Sequence, residues 1–285
     1  MEQNRTEGLR ALIRQGLQAV AHKDTLAHLG DRSRYVGMSD IGQHWECPRA
    51  ALARKVLPTT SSLERLLTLQ RGHWFESGVG QALASQGLHV LPQLEISWQH
   101  QGVPIKAHLD FVLVWGAPVN AIRILEVKST DKLPASPHDS HLLQLHGQIG
   151  LLVKAWNKPV FSLRAEDGTL LRETMTFPPL CRVQFGLEMP TTAAKTSMEA
   201  WLLCLSMKEV RAFGPYGFNQ AMLDTALDHA AQLWGELTAF RAGHIPLAQV
   251  DCAQGFYHLC SYCEHNGDCP TFPQGVQMPQ WEPAL

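Results

Sequence analysis

The sequence predicts an α/β core with a helical surround, and three observations carry that prediction. Apolar spacing changes from a helical period to near-continuous β-branched and aromatic stretches at about residue 88. Turn signals cut those stretches into five candidate strands. Helices precede the first three strands, separate them from the last two, and follow the whole set, an order that suits a sheet covered by helices.

Element by element, Leu9, Leu12, Ile13, Leu17 and Val20 fall at helical spacing and predict a helix over 4–28. Ser39 and Asp40 are good N-caps for a second helix, which runs through Cys47 to about Val56 and stops at Pro58. Ser61-x-x-Glu64 is a capping-box signature for a third, reaching Ser85 with Gly87 beyond its end. Residues 88–98, 103–115 and 121–130 read as strands, the first two joined by a tight turn at Gln101-Gly102. A helix over 138–157 follows, in which Gly147 and Gly150 imply close packing against a neighbour. Strands at 159–165 and 169–177 flank Asp167-Gly168, a strong hairpin dipeptide. Residues 191–212 and 218–243 read as helical, and a cysteine-rich tail from Asp251 ends in Pro-rich coil.

Composition bounds the function. With 285 residues, 45% of them hydrophobic, the chain can bury a core and is neither disordered nor collagen-like. No apolar run approaches the roughly 20 residues of a membrane span, and the N-terminus lacks a signal-peptide core, so a cytoplasmic protein is expected. Seven cysteines, an odd number, argue against a disulfide framework. A net charge of −2 excludes a globally basic nucleic-acid binder but not a local basic groove. Lys and Arg outnumber acids nine to six over residues 1–60, whereas acids lead ten to four over 186–285, so a polyanion would favour the N-terminal half.

The chemistry concentrates in Ile122-Arg-Ile-Leu-Glu126-Val-Lys128. Strand side chains alternate, so Glu126 and Lys128 continue the face of Ile122 and Ile124, where a charge beside a core needs a partner or a metal. Asp110, on the strand before it, could join them at the end of a sheet. Two carboxylates and a lysine suit phosphodiester hydrolysis: hard oxygen ligands for magnesium or manganese, and an ammonium for the water and the developing charge. A surface Glu–Lys pair would give the same short pattern. His73, in the third helix, is either a further metal ligand or a half-buried helix histidine. Gln144 and Gln148 offer amides to a phosphate or water, or simply form a polar helix face.

Cys260-x-x-Cys263-x5-Cys269 lies in a Gly/Asn/Asp turn before Pro270 and reads as soft-metal ligation. A fourth ligand could be Cys252, making a local zinc knuckle, or Cys47, clasping the N-terminal helix to the tail. Cys181 and Cys204 sit in apolar surroundings and read as packed thiols.

The order His73, Asp110, Glu126-Val-Lys128, Gln144-Leu-x-x-Gln148, with one cysteine before and three after, resembles the iron–sulfur branch of the PD-(D/E)XK nucleases. That branch includes the CRISPR-associated Cas-four proteins, the AddB C-terminal nuclease and the nuclease domain of the Dna-two helicase. Cys47-Pro48-Arg49 is similar to its first-cysteine segment, and Arg241-Ala-Gly-His-Ile-Pro before the cysteine triplet is similar to its C-terminal signature. The resemblance covers residues 39–272 and implies a central mixed sheet flanked by helices, with residues 1–38 as a helical extension, 39–250 as the nuclease core and 251–285 as a cluster-binding tail packed on the 39–56 helix. It implies metal binding by His73, Asp110, Glu126 and the Val127 carbonyl, catalysis by Lys128 with Gln144, and a [4Fe-4S] cluster on Cys47, Cys260, Cys263 and Cys269, with Cys252 a spectator. Where the family has a tyrosine, this chain has Gln148. The implied activity is metal-dependent cutting or trimming of single-stranded DNA ends, leaving a 5′-phosphate and a 3′-hydroxyl. Its setting would be CRISPR prespacer processing beside the Cas-one/Cas-two integrase, or end resection in phage or recombination with a helicase partner. A catalytically idle end-binding scaffold is the rival reading.

Overall fold

In the computed structural model the described residues are 2–57, 62–165 and 167–253, together with Cys260, Cys263 and Cys269. The expected roles of Pro58, Ser61 and the Pro-rich end fall outside them. Seven α-helices are described: α1 (Glu2–His28), α2 (Met38–Glu46), α3 (Pro48–Val56), α4 (Leu63–Ser85), α5 (Asp139–Ala155), α6 (Phe177–Phe185) and α7 (Gln220–Arg241). The strands are β1 (Val36–Gly37), β2 (Val90–His100), β3 (Val103–Trp115), β4 (Ala121–Ser129), β5 (Phe161–Arg164), β6 (Leu170–Met175), β7 (Ser197–Leu205) and β8 (Val210–Tyr216).

These strands form one mixed sheet in the order β6-β5-β2-β3-β4-β7-β8, with β1 added in parallel beside β3 at Val36↔Ile105. The β4–β7 pairing is also parallel, and its crossover carries α5 and α6. Helices flank both faces. Val79 and Leu83 of α4 pack on Phe111, Leu113 and Val127. On the other face α5 lies against the sheet, with Leu145, Ile149 and Leu152 in one core with Val112, Ile122, Ile124 and Leu202. The chain is therefore α/β, with helices covering a central mixed sheet.

Local chemistry explains the boundaries. Gln101 and Gly102 adopt φ values of 49° and 83°, the left-handed pair that a two-residue β2–β3 turn requires. The expected single helix over 39–56 is two helices, because Cys47 precedes Pro48 and takes an extended conformation (φ −157°, ψ 98°). Asp40 Oδ2 accepts from the Gly37 amide at 2.8 Å, closing the start of α2. The third helix begins from Ser62, whose hydroxyl accepts from the Arg65 amide.

One expectation is overturned. Residues 191–212 are not one α-helix: after a short 3-10 turn at Ala193–Lys195 they contain β7 and the start of β8. Trp201-Leu-Leu-Cys-Leu is a short apolar run whose period is ambiguous until the neighbouring strand is known. Against β4, Ala200, Leu202 and Cys204 turn inward and alternate with half-buried Trp201, Leu203 and Leu205. Phe177–Phe185, expected to be strand only at its first residue, is α6 with two prolines in its first turn. The apolar spacing of α1 is present, yet Leu9, Leu12, Ile13 and Val20 are exposed, and the helix rests on α4 with Arg10 paired to Glu64 at 2.8 Å.

Candidate functional site

The β3–β4 register pairs Phe111 with Leu125 and Val112 with Ile124, and one step further it sets Asp110 beside Glu126. Both carboxylates are buried, at 9% and 2% exposure, where sheet and α5 meet. Asp110 Oδ2 accepts from the Val127 amide at 2.7 Å. Lys128 Nζ donates to Glu126 Oε1 at 2.7 Å and to Gln144 Oε1 at 3.1 Å, while Gln144 Nε2 donates to the same Glu126 oxygen. Gln148, one helical turn further along α5 and fully buried, donates to Glu126 Oε2 at 2.7 Å and to the His108 carbonyl at 3.0 Å. Gln148 therefore faces inward and orients Glu126 rather than reaching toward solvent.

Electrostatics describe a site with surplus negative charge. Burial, then Glu126 and Glu76, push the Asp110 carboxyl well above the usual carboxylate range. Burial and the charge of Glu126 raise Glu76 to about 7. Burial alone would lower Lys128, but Glu126 and Asp110 outweigh it and hold the ammonium charged. On α5, burial together with Lys128 depresses His141 to about 3, so a neutral imidazole sits near the lysine. Three carboxylates share one ammonium, and a divalent cation would relieve their mutual repulsion and favour their ionised forms. The donor set, hard oxygens with one lysine, fits magnesium or manganese.

Asp110, Glu126, Lys128 and Gln144 are thus brought together, and the Val127 backbone lies among them. His73 is not: its side chain is 58% exposed, its charged partner is Glu76 (Nδ1–Oε2 4.0 Å), and among the described residues it makes no hydrogen bond or ion pair to Asp110 or Glu126. Glu76, one helical turn further along α4, is the acid that faces them, also accepting from Gln93 Nε2 at 3.4 Å. Sequence reasoning passed over Glu76. The signal available was its i,i+3 spacing from His73, but only the packing of α4 selects which of the two turns toward the strands.

The thiols are the other candidate ligands. Cys47 Sγ accepts from the Ala50 amide at 3.4 Å at the break between α2 and α3. Arg49, 7% exposed, donates to the Val250 and Ala248 carbonyls, while its own amide donates to Asp251 O at 3.0 Å. Its Nη1 lies 3.2 Å from Cys269 Sγ. Burial pushes the Cys47 thiol up, with Cys263 and Cys252 adding to it, and burial raises Cys260, with Cys263, Cys269 and Cys252 adding. Cys47 and Cys260 accordingly each lie within electrostatic reach of Cys252 and Cys263, and Cys260 also of Cys269. Cys181 and Cys204 are buried elsewhere, and burial drives Cys181 up to about 12. Among the described residues, no three or more His, Cys, Asp or Glu side chains are drawn into a metal-holding group.

Neither a protein-family model nor a curated protein matches the chain. Among solved structures it is similar to one described as "Crystal structure of SSO0001", at 12% identity and a TM-score of 0.47, over 83% of this chain and 86% of that one.

Proposed function

We propose that the chain is a divalent-metal-dependent nuclease that hydrolyses DNA phosphodiester bonds, cutting or trimming single-stranded ends. The observation that carries this reading is the convergence of Lys128 with Glu126, Asp110, Glu76 and Gln144 at one buried end of the sheet. A stable protein gains nothing from burying three acids around one lysine, whereas hydrolysis of a phosphodiester needs such a set.

Asp110, Glu126 and Glu76 would hold the ion, and magnesium or manganese bound there supplies charge neutralisation and acidifies an attacking water. The remaining roles belong to the chain itself. Lys128 donates hydrogen bonds toward charge developing on the phosphate oxygens. Gln144 fixes Lys128 by accepting from Nζ and fixes Glu126 by donating to it. Gln148 locks the second Glu126 oxygen, so the carboxylate cannot rotate away. In-line attack then leaves a 5′-phosphate and a 3′-hydroxyl.

The tail reading accompanies it: Cys47, Cys260, Cys263 and Cys269 hold an iron–sulfur cluster that fastens the tail to the start of α3. The contacts of Arg49 with Val250, Asp251 and Cys269 support that clasp. A CRISPR integrase or a helicase is the proposed partner class.

The test is a manganese-dependent assay on single-stranded DNA, wild type against Lys128→Ala. The variant should retain its circular-dichroism spectrum and lose about a hundredfold or more in rate. Equal rates, or none from either protein, would instead favour a DNA-end-binding scaffold.

A further inference from the structure

Two histidines of α5, His141 and His146, each bury Nδ1 with no hydrogen-bond partner among the described residues. A sealed polar atom of this kind needs a physical reason. The two rings differ in their surroundings. His146 meets the Tyr216 ring edge-on, 5.7 Å between centroids, and burial alone lowers its pKa. At His141, burial, then Lys128, then His138 lower the value to about 3, so this ring lies in the field of the lysine that pairs with Glu126.

Helix geometry accounts for that placement. His141, Gln144 and Gln148 fall at i, i+3 and i+7, one face of α5. On that face Gln144 accepts from Lys128 Nζ, and both glutamines donate to Glu126. His141 is the turn before Gln144, in the first turn of the helix, where free backbone amides favour an anion and disfavour an imidazolium. The His138 ring stands against it at 5.3 Å and 85°. The sealed nitrogen also selects a tautomer. A ring held so far below its ordinary range carries one proton at neutral pH. Native interiors orphan an N–H more rarely than an acceptor lone pair. The proton therefore belongs on Nε2, the nitrogen that is not sealed in this partly buried side chain.

We propose that His141 is a second hydrogen-bond donor to the scissile phosphate, giving Nε2–H to a non-bridging oxygen beside the one that Lys128 serves, a role that rests on the nuclease reading and adds a residue to it. Non-bridging phosphate oxygens only accept hydrogen bonds, and a site of three carboxylates and one ammonium is short of donors. The ring supplies one that stays neutral at every pH where the protein is folded and active, because Lys128 and the helix end oppose its protonation. No proton is transferred. A donor placed at charge that grows in the transition state acts on the chemical step more than on binding.

The test is cleavage of single-stranded DNA by the full-length chain with manganese. His141→Ala should lower kcat about tenfold or more, with KM and the calorimetric manganese affinity each within about twofold of wild type. His141→Gln, whose amide nitrogen reaches about where Nε2 stands, should restore most of the rate, whereas His141→Asn, whose amide nitrogen replaces Nδ1, should not. The deficit of His141→Ala should be the same at about pH 6 and about pH 8, since no charge on the ring is involved. Imidazole NMR of the wild type should show an Nε2–H ring that does not titrate between about pH 5 and about pH 8. Equal rates for wild type and His141→Ala, equal rescue by Asn and Gln, or a deficit confined to acid would overturn the donor role and leave the nuclease reading standing. A wild-type ring that titrates in that range, a measurement that needs no variant to fold, would overturn it as well. A wild type that cuts no DNA would remove both readings together.

Discussion

At the scale of single residues, the choice between His73 and Glu76 would decide what kind of metal the proposed nuclease site takes. Both lie on α4, one helical turn apart, but only Glu76 shares the field of Asp110 and Glu126. A carboxylate is the harder ligand, and three carboxylates favour magnesium or manganese over softer metals. Glu76→Gln should reduce manganese-dependent cleavage by about a hundredfold, whereas His73→Ala should change it by less than about threefold. Isothermal titration with manganese, run beside the cleavage assay, separates metal binding from later steps. The reverse ranking would restore the histidine as a ligand. The same contrast explains what was legible: Glu126-Val-Lys128 could be placed on one strand face from alternation alone. Gln148 is a different matter, since its role as a clamp on Glu126 depends on α5 crossing that strand end.

At the scale of elements, α5 sets the depth at which Gln144 meets the lysine. A Cβ on Gly147 would stand 2.6 Å from the Met38 sulfur, and one on Gly150 would stand 2.8 Å from Leu223. Both glycines let α5 lie close to α2 and α7, as their position in an otherwise good helix had implied. Intrinsic propensity would make Gly147→Ala stabilising by up to about 1 kcal/mol. Overpacking at that distance should reverse the sign, to a net loss on the order of 1–2 kcal/mol in urea unfolding, partly recovered by adding Met38→Ala. Strand β7 teaches the complementary lesson. Its apolar run carries no period that separates a buried strand from a helix, and the distinction appears only once β4 fixes its register.

At the scale of the whole molecule, α3 is joined to the segment after α7 through Arg49, which reaches the carbonyls of Ala248 and Val250 and Cys269. A cluster on Cys47 and the tail cysteines would close a loop of more than 200 residues and should stabilise the fold mainly by restricting the unfolded chain. Protein purified without oxygen should be brown, as iron–sulfur thiolate clusters are. Cys47→Ser should bleach it and lower the melting temperature, while Cys252→Ser should keep the colour. Colour lost with Cys252 rather than Cys47 would move the fourth ligand into the tail, where that thiol already neighbours Cys47 and Cys260. Colourless protein with stoichiometric zinc would remove iron from the account. No helix among the described residues is long and apolar enough to cross a membrane.

The sequence by itself determined the α/β class, most element positions, and the shared face of Glu126 and Lys128, because these follow from local periodicity and from turn residues with restricted dihedrals. Tertiary structure alone decided that α4 turns Glu76 toward Asp110, that Gln148 clamps Glu126, and that 197–205 is a strand. Each of those depends on which surfaces of distant segments come into contact, and spacing along a chain fixes the face of an element but not the neighbour it meets.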